Sequence, residues 1–429
     1  MLTNEAVHYY SIIRDKFKNS YLAEDANQII IGIDCDYIDS HEYSYKTLEL
    51  FYNNQKAIAP FAGLFGIFSY ETIHFFEKIE KKEKSQFEFP QFVFANAKAY
   101  LHYSKISKMY TFYGDEEKYY NFLENESFTE KPAENEFFYK IETDLDKEKE
   151  HFYDIVEKAK EYIKMGDIFQ VVLSEQLCLE SNIDSLEFYK KLAKANPSPY
   201  MFHFPTKYGD VVGSSPEILA EILFNNIYIA PIAGTRPRGK DANEDAFLAQ
   251  DLLNDPKECA EHRMLVDLAR NDIGKFARQG SVIVKNMMHV KHYQHVMHIV
   301  SEVFGQKRND VSLFDIISSV FPAGTLSGAP KIRAMEIISE LEEYKRNIYG
   351  GGIGFLGNMQ LAIVIRSAFF ANRNNATDNI SGKNTSEGNN VSKVFIQAGA
   401  GIVYDSIKEK EYEEITHKRA SVLNIFKNN

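Results

Sequence analysis

The chain has 429 residues, of which 61 are Asp or Glu and 49 are Lys or Arg, a formal net charge of −12 at pH 7. That balance disfavours polyanionic partners, so nucleic acid and an anionic membrane surface are excluded as targets. The three cysteines (Cys35, Cys178, Cys259) form no closely spaced pair, and no apolar run approaches the roughly 20 residues of a membrane span, so no disulfide framework, zinc knuckle or membrane anchor is expected. The opening MLTNEAVHYY has no basic stretch followed by an apolar one, which predicts no signal peptide and a soluble, cytoplasmic protein.

Residues 1 to about 125 mix strand-like runs (28–33, 92–103, 109–113) with helical pieces. The segment 125–136 (NESFTEKPAENE) is charged and poor in apolar residues, which places a boundary there and predicts two domains, 1–130 and 131–429. Residues 147–164 read as an amphipathic helix with Phe152, Ile155, Val156, Ala159 and Ile163 on one stripe, closed by Gly166. An apolar strand over 168–173 carries Gln170, a helix covers 186–195, and Pro197 and Pro199 set a turn into the next strand.

An apolar strand over 227–232 breaks at Gly234-Thr235, and a basic loop (Arg236, Arg238, Lys240) leads into a long helical segment. Within it Asp255 reads as an N-cap, with Pro256 at the first helical position and Glu258 at the third. Glu258 and Glu261, three apart, project from one helix face. They suit a divalent cation, or a division between metal binding and proton transfer, but equally a capping-box return and a solvated charge.

Residues 281–304 are rich in β-branched side chains and carry His289, His292, His295 and His298. Strand alternation sends these to opposite faces, and with no nearby cysteine a zinc site is not expected. The run 324–331 (GTLSGAPK) lacks phosphate-loop spacing, but its glycines and following helix suggest a carboxylate cradle. Arg366 interrupts an apolar strand over 360–370 and needs an anionic partner there. The polar, Asn-rich stretch 372–392 is expected to be a disordered hairpin tip, with a strand returning over 393–404 through Gly399-Ala400-Gly401. Glu411 and Glu414, again three apart, stand in the final helix.

Several of these stretches occur together in one family. PIAGTRPRG, DPKECAEHRMLVDLARND, HVMHIVSEV, PAGTLSGAPKIRAMEII, YGGGIGF, LAIVIRSA and QAGAGIVYDS follow the order found in the chorismate-utilising enzymes, and the chain resembles their anthranilate synthase component I branch over most of residues 150–420. The resemblance implies an α+β fold of antiparallel-rich sheets packed face to face with helices outside. It implies conversion of chorismate and ammonia to anthranilate and pyruvate, with Mg²⁺ held by Glu261 and Glu414. Glu258 is then the proton donor to the departing hydroxyl, and His298 assists pyruvate loss. Thr325 lies close to the ring, and Gly234, Thr235, Tyr349, Arg366, Gly399, Ala400 and Gly401 bind the substrate. Ammonia would come from a separate glutamine amidotransferase subunit, since no GxCxGxQ motif is present.

The aminodeoxychorismate synthases, the alternative, carry a nucleophilic Lys where this chain has Ala233. The water-adding isochorismate and salicylate synthases carry a Lys base where it has Gln170. The segment at 22–25 (LAED) resembles the family's LLES, which implies feedback inhibition by tryptophan bound between Glu24-Asp25 and Pro199-Tyr200-Met201, with Asp25 replacing a serine.

Overall fold

The structure is a computed structural model and describes residues 2–427 except 55–57, 62, 124–136, 294–295, 358 and 373–390. The expected domain boundary, and the polar insert apart from Asn372, Val391 and Ser392, lie outside the described residues. Strands from either side of the boundary join the same two sheets.

Every strand pairing among the described residues is antiparallel, as expected for α+β. An eleven-stranded sheet runs from Gly328–Ala329 through Gln170–Ser181, Ser392–Ile402, Ser367–Ala371 and Gly209–Ser215 to Tyr200–Thr206, and onward into the N-terminal strands Tyr21–Glu24, Gln28–Ile33, Ala99–Ser104 and Met109–Tyr113. A ten-stranded sheet begins at Ile232–Pro237 and Val296–Gln306 and ends at Phe92–Asn96 and Asp36–Asp39.

Alternation along the strands sends one face of each sheet into a shared core. Ile30, Phe65, Ile67, Val93, Phe202, Ile353, Phe369 and Phe395 fill it. Helices cover the outer faces. Phe188 and Leu192 of Ser185–Ala195 pack on the larger sheet, and Phe152, Val266, Ile317, Met335 and Ile415 belong to a second helix-covered cluster that reaches strands of both sheets.

Four sequence readings change in detail. The run 227–232 spans two strands, Asn226–Ile229 and Ile232–Pro237, both hydrogen-bonded to Val296–Gln306. The long helical segment is two helices, Ala242–Asn254 and Pro256–Gly274, because Pro256 cannot continue the first and starts the second. Residues 281–304 fold as a hairpin, so His289 and His298 stand on different strands. The apolar run 360–370 divides at Arg366, where φ is +52°, and its halves Gln360–Ile363 and Ser367–Ala371 join different sheets.

Candidate active site

Asp255 caps the helix Pro256–Gly274 as expected, accepting from the backbone N–H groups of Lys257 (3.0 Å) and Glu258 (3.2 Å). Its own N–H goes to the Leu252 carbonyl, so Glu258 makes no capping-box return. Glu258 instead faces Gly234. A Cβ built there would stand 3.1 Å from Glu258 Oε2 and 2.9 Å from Leu252, and φ at Gly234 is +68°. Position 234 therefore needs glycine on two counts. The strand bulges here, between Ala233 and Arg236.

The bulge turns the Gly234 carbonyl toward His298. His298 Nδ1 lies 2.7 Å from that oxygen and 3.2 Å from Thr235 Oγ1. A carbonyl can only accept, so Nδ1 carries the proton, and in the neutral ring Nε2 keeps its lone pair. Burial lowers the His298 pKa, and Arg366 and Lys418 lower it further, so the ring is neutral at pH 7. The arginines of the basic loop are tied down. Arg236 pairs with Asp251 (2.7 Å) and Asp255 (3.1 Å), and Arg238 with Asp245.

One turn along the helix from Glu258, Glu261 Oε1 accepts from Gln170 Nε2 at 2.7 Å. Gln170 is buried, and among the described residues its side-chain oxygen has no hydrogen-bond partner. Gly401 packs against this amide, for a Cβ there would lie 2.4 Å from Gln170 Nε2 and 3.6 Å from Glu261 Oε1. On the last helix the Glu414 carboxylate lies 2.6 Å from Lys418 Nζ, which also donates to the Gly399 carbonyl at 2.8 Å. Burial raises the Glu261 pKa, and Glu414 raises it further, while burial and then Glu261 raise that of Glu258.

No three His, Cys, Asp or Glu converge as a finished metal cage among the described residues. Mg²⁺ does not need one, since it commonly takes one or two carboxylates, keeps waters and adds substrate oxygens. Glu261 and Glu414 fit that demand. The Lys418 ammonium now pairs with Glu414, and Mg²⁺ would have to displace it from that carboxylate.

Arg366 projects from the crossover between the sheets. Among the described residues its guanidinium has no hydrogen bond or ion pair, and burial lowers its pKa against the pull of Tyr349, Glu217 and Glu414. The Tyr349 side chain is buried under the Arg346 guanidinium (5.6 Å), which is itself fixed by Glu342 (2.6 Å), Leu326 O and Val172 O. The Tyr349 hydroxyl stands 2.9 Å from where a Gly399 Cβ would be. Ala400 is fully buried in the core, backbone included. The 324–331 segment is not an open cradle. Gly328 and Ala329 pair with Val171 and Gln170, and Lys331 pairs with Asp272 at 2.6 Å.

Two residues missed in the sequence stand out. Glu217 is buried, accepts from Thr325 Oγ1 at 2.8 Å, and burial pushes its pKa up to about 7, with Thr325, Lys418 and Arg366 opposing. Its signal was an acid directly after Pro216 inside an apolar run. Lys418 was readable as a base one turn beyond Glu414. Of the four histidines, His289 bonds the Asn286 carbonyl at 2.8 Å and His295 lies outside the described residues.

The second expected site also assembles. Glu24 is the strand partner of Met201, and Glu24, Asp25, Tyr200 and Met201 line a cavity of about 40 Å³, while Pro199 does not line it. That is room for only about three waters, at roughly 10–15 Å³ for each. Glu24 is engaged by Lys105 (2.6 Å) and Tyr189 (3.1 Å). Asp25 caps its own turn, accepting from Asn27 N, Gln28 N and Gln28 Nε2. No helix among the described residues is long and apolar enough to cross a membrane.

The sequence pattern of a family described as chorismate binding enzyme matches residues 9–424. Anthranilate synthase component 1 of Acetivibrio thermocellus is 49% identical over 280 residues, covering 64% of this chain and 52% of that one, so the match spans about half the length of such relatives. The namesake from Methanothermobacter marburgensis is 40% identical over 364 residues, covering 84% and 74%. The crystal structure of anthranilate synthase component I from Streptococcus pneumoniae superposes with a TM-score of 0.72 at 30% identity, over 94% of this chain and 92% of that one. The menaquinone-specific isochorismate synthase of Escherichia coli has the same fold, with a TM-score of 0.73 at 16% identity over 95% and 88%.

Proposed function

We propose, for a chain that belongs to the chorismate binding enzyme family, that it is a Mg²⁺-dependent lyase making anthranilate and pyruvate from chorismate and ammonia. Gln170 carries the reading. It is a buried neutral amide whose carbonyl oxygen is free to accept from N–H, beside Glu261. No amine side chain stands there or at Ala233 to act as base or nucleophile.

Arg366, Tyr349 and the amides of Gly399 and Gly401 bind one carboxylate of the substrate, and Gly234, Thr235 and Thr325 line its ring. Glu261 and Glu414 would hold Mg²⁺, which would supply positive charge to neutralise the second carboxylate. Gln170 orients ammonia through its free carbonyl. The departing ring hydroxyl needs a proton, and two carboxyls are candidates. Glu258 is the donor expected from the sequence, with a raised pKa but 26% of its side chain exposed and Arg236 3.9 Å away. Glu217 is better tuned, because a carboxyl near pH 7 holds its proton yet releases it readily. His298 then takes a proton on Nε2 as the ring becomes aromatic and pyruvate leaves.

The test is pure protein with chorismate, Mg²⁺ and ammonium, read by anthranilate formation. Aminodeoxychorismate or isochorismate as main product would sink the reading. Glutamine should support turnover only when a glutamine amidotransferase subunit is added.

Glu261→Gln and Glu414→Gln should each weaken Mg²⁺ binding about tenfold or more, since each removes a charged oxygen ligand. Glu258→Gln should leave metal affinity within about twofold. Calorimetric Mg²⁺ titrations of the three variants check the division, and a large Mg²⁺ effect in Glu258→Gln would contradict it.

Tryptophan is the proposed feedback inhibitor at the cavity between Glu24 and Met201. The cavity must widen to admit it, so the ligand favours an opened arrangement. Chorismate saturation curves should shift with tryptophan, and Met201→Thr should change that shift. Inhibition untouched by Met201→Thr would put the site elsewhere.

A further inference from the structure

The helix Lys331–Leu341 is followed by a charged run, 342–346 (EEYKR), in which Glu342 and Arg346 alone are buried. Glu343, by contrast, pairs with Lys84 at the surface. Guanidinium and carboxylate meet side on, Arg346 Nε donating to Glu342 Oε2 at 2.8 Å and Nη2 to Oε1 at 2.6 Å. Glu342 Oε1 also accepts from the backbone N–H and the hydroxyl of Ser174, both at 2.8 Å. Arg346 reaches further, donating through Nη1 to the Leu326 carbonyl (2.6 Å) and through Nη2 to the Val172 carbonyl (2.7 Å). Its central carbon lies 4.7 Å from the ring centroid of Tyr70 and 5.6 Å from that of Tyr349.

Each of these partners carries or faces a group of the site. Leu326 follows Thr325, which donates to Glu217 at 2.8 Å. Val172 and Ser174 are the cross-strand partners of Gly401 and Gly399, and Val172 stands two residues from Gln170, which reaches Glu261. The Tyr349 hydroxyl stands against Gly399. The pair itself is closed to a ligand, since Glu342 is 4% and Arg346 2% exposed and their polar atoms are taken up by the protein. It can act on a ligand only through what it holds. Stability alone is a weak reason for such a pair, because desolvation offsets most of the attraction and apolar replacements are often neutral. What arginine adds is a rigid planar fork, which holds a carboxylate and two carbonyls of separate elements at fixed angles.

We propose that Arg346 and Glu342 are positioning residues for the substrate. They fix Tyr349 and the Thr325 turn relative to the strand Gln170–Ser181, and so set the carboxylate pocket and the ring contact without touching either. The inference rests on the chorismate reading above and assigns that site a support lying outside it.

The experiment is calorimetric binding of Mg²⁺ alone, and of chorismate at saturating Mg²⁺, with ammonia and glutamine absent. It compares wild type, Arg346→Lys and the double variant Glu342→Leu/Arg346→Met, each with a thermal melt. Lysine keeps a charge opposite Glu342 but has no fork to hold Leu326 and Val172 as well. The double variant removes both charges together, so no unpaired ion is left buried. In both, chorismate should bind about 10-fold more weakly, because the groups that receive it are no longer held in register. Mg²⁺ affinity should stay within about twofold, since Glu261 and Glu414 take their hydrogen bonds from Gln170 and Lys418, outside the pair. Wild-type chorismate affinity in either variant that folds would overturn the proposal, whatever the melting temperature does. A parallel loss of Mg²⁺ and chorismate affinity would overturn it too, as would failure of both variants to fold, because the pair would then be holding the whole fold. If wild type itself binds no chorismate, the reading of the site falls and this inference with it.

Discussion

Replacing Arg366 with methionine should raise the KM for chorismate by about 10²–10³-fold while the melting temperature stays level or rises. The two halves come from one observation. A guanidinium placed deep at the crossover between two sheets, with no carboxylate or carbonyl against it among the described residues, costs folding free energy, as its depressed pKa reports. Methionine keeps much of the length without the charge, so the fold loses nothing it was using. The ligand loses its charged partner, which in a desolvated site is worth several-fold more than at a surface. A saturation curve and a thermal melt on the same sample check both halves. A variant that binds chorismate normally would show that Arg366 serves another anion. One that unfolds would show that the guanidinium is paired within the fold after all.

How much of this was legible beforehand depends on which interactions each residue makes. The helix start at Asp255 was readable because capping is local chemistry, fixed within four residues. The placement of Glu261, Glu414, Arg366 and Tyr349 came from family motifs, and the structure sets Glu261 against Gln170 and the Tyr349 hydroxyl against Gly399, where strands of the larger sheet meet helices packed on either sheet. Glu217 was missed because an acid after a proline in an apolar run marks the position without revealing what it meets in the fold. Its pKa depends on Thr325, Arg366 and Lys418, which are 108 residues or more away in the chain. The hairpin at 281–304 was read as a single strand for a similar reason. No Asn-Gly or Asp-Gly turn marks the reversal, which cross-strand pairing alone enforces. The readings of His289 and His292 as alternating faces of one strand were then of little use for locating His298, whose partner is Gly234 on another strand.

Glu217→Gln should abolish most turnover, lowering kcat by about 10²–10⁴-fold, and should make stability less sensitive to a rise in pH from about 4.5 to 7. Glutamine preserves the shape and can still accept from Thr325 Oγ1 through its carbonyl, so the change removes a proton and little else. The sign of the stability effect follows from the direction of the shift. Burial raises the folded pKa from the ordinary 4.5 to about 7, so the folded state binds this proton more tightly than the unfolded chain. The associated stabilisation is full below about pH 4.5 and is lost as pH rises through 7. The variant, with no proton to lose, should track wild type below about pH 4.5, gain on it as pH climbs toward 7, and hold a constant lead above that. Glu71 and Glu175 are likewise pushed up to about 7, so wild type and variant will both retain part of the slope, and only the difference between them belongs to residue 217. Melts at steps from pH 5 to 8.5 measure that difference. In kcat, Glu258→Gln should cost less than Glu217→Gln. The reverse order would return the donor's role to Glu258, whose carboxyl lies against Gly234 at the bulge.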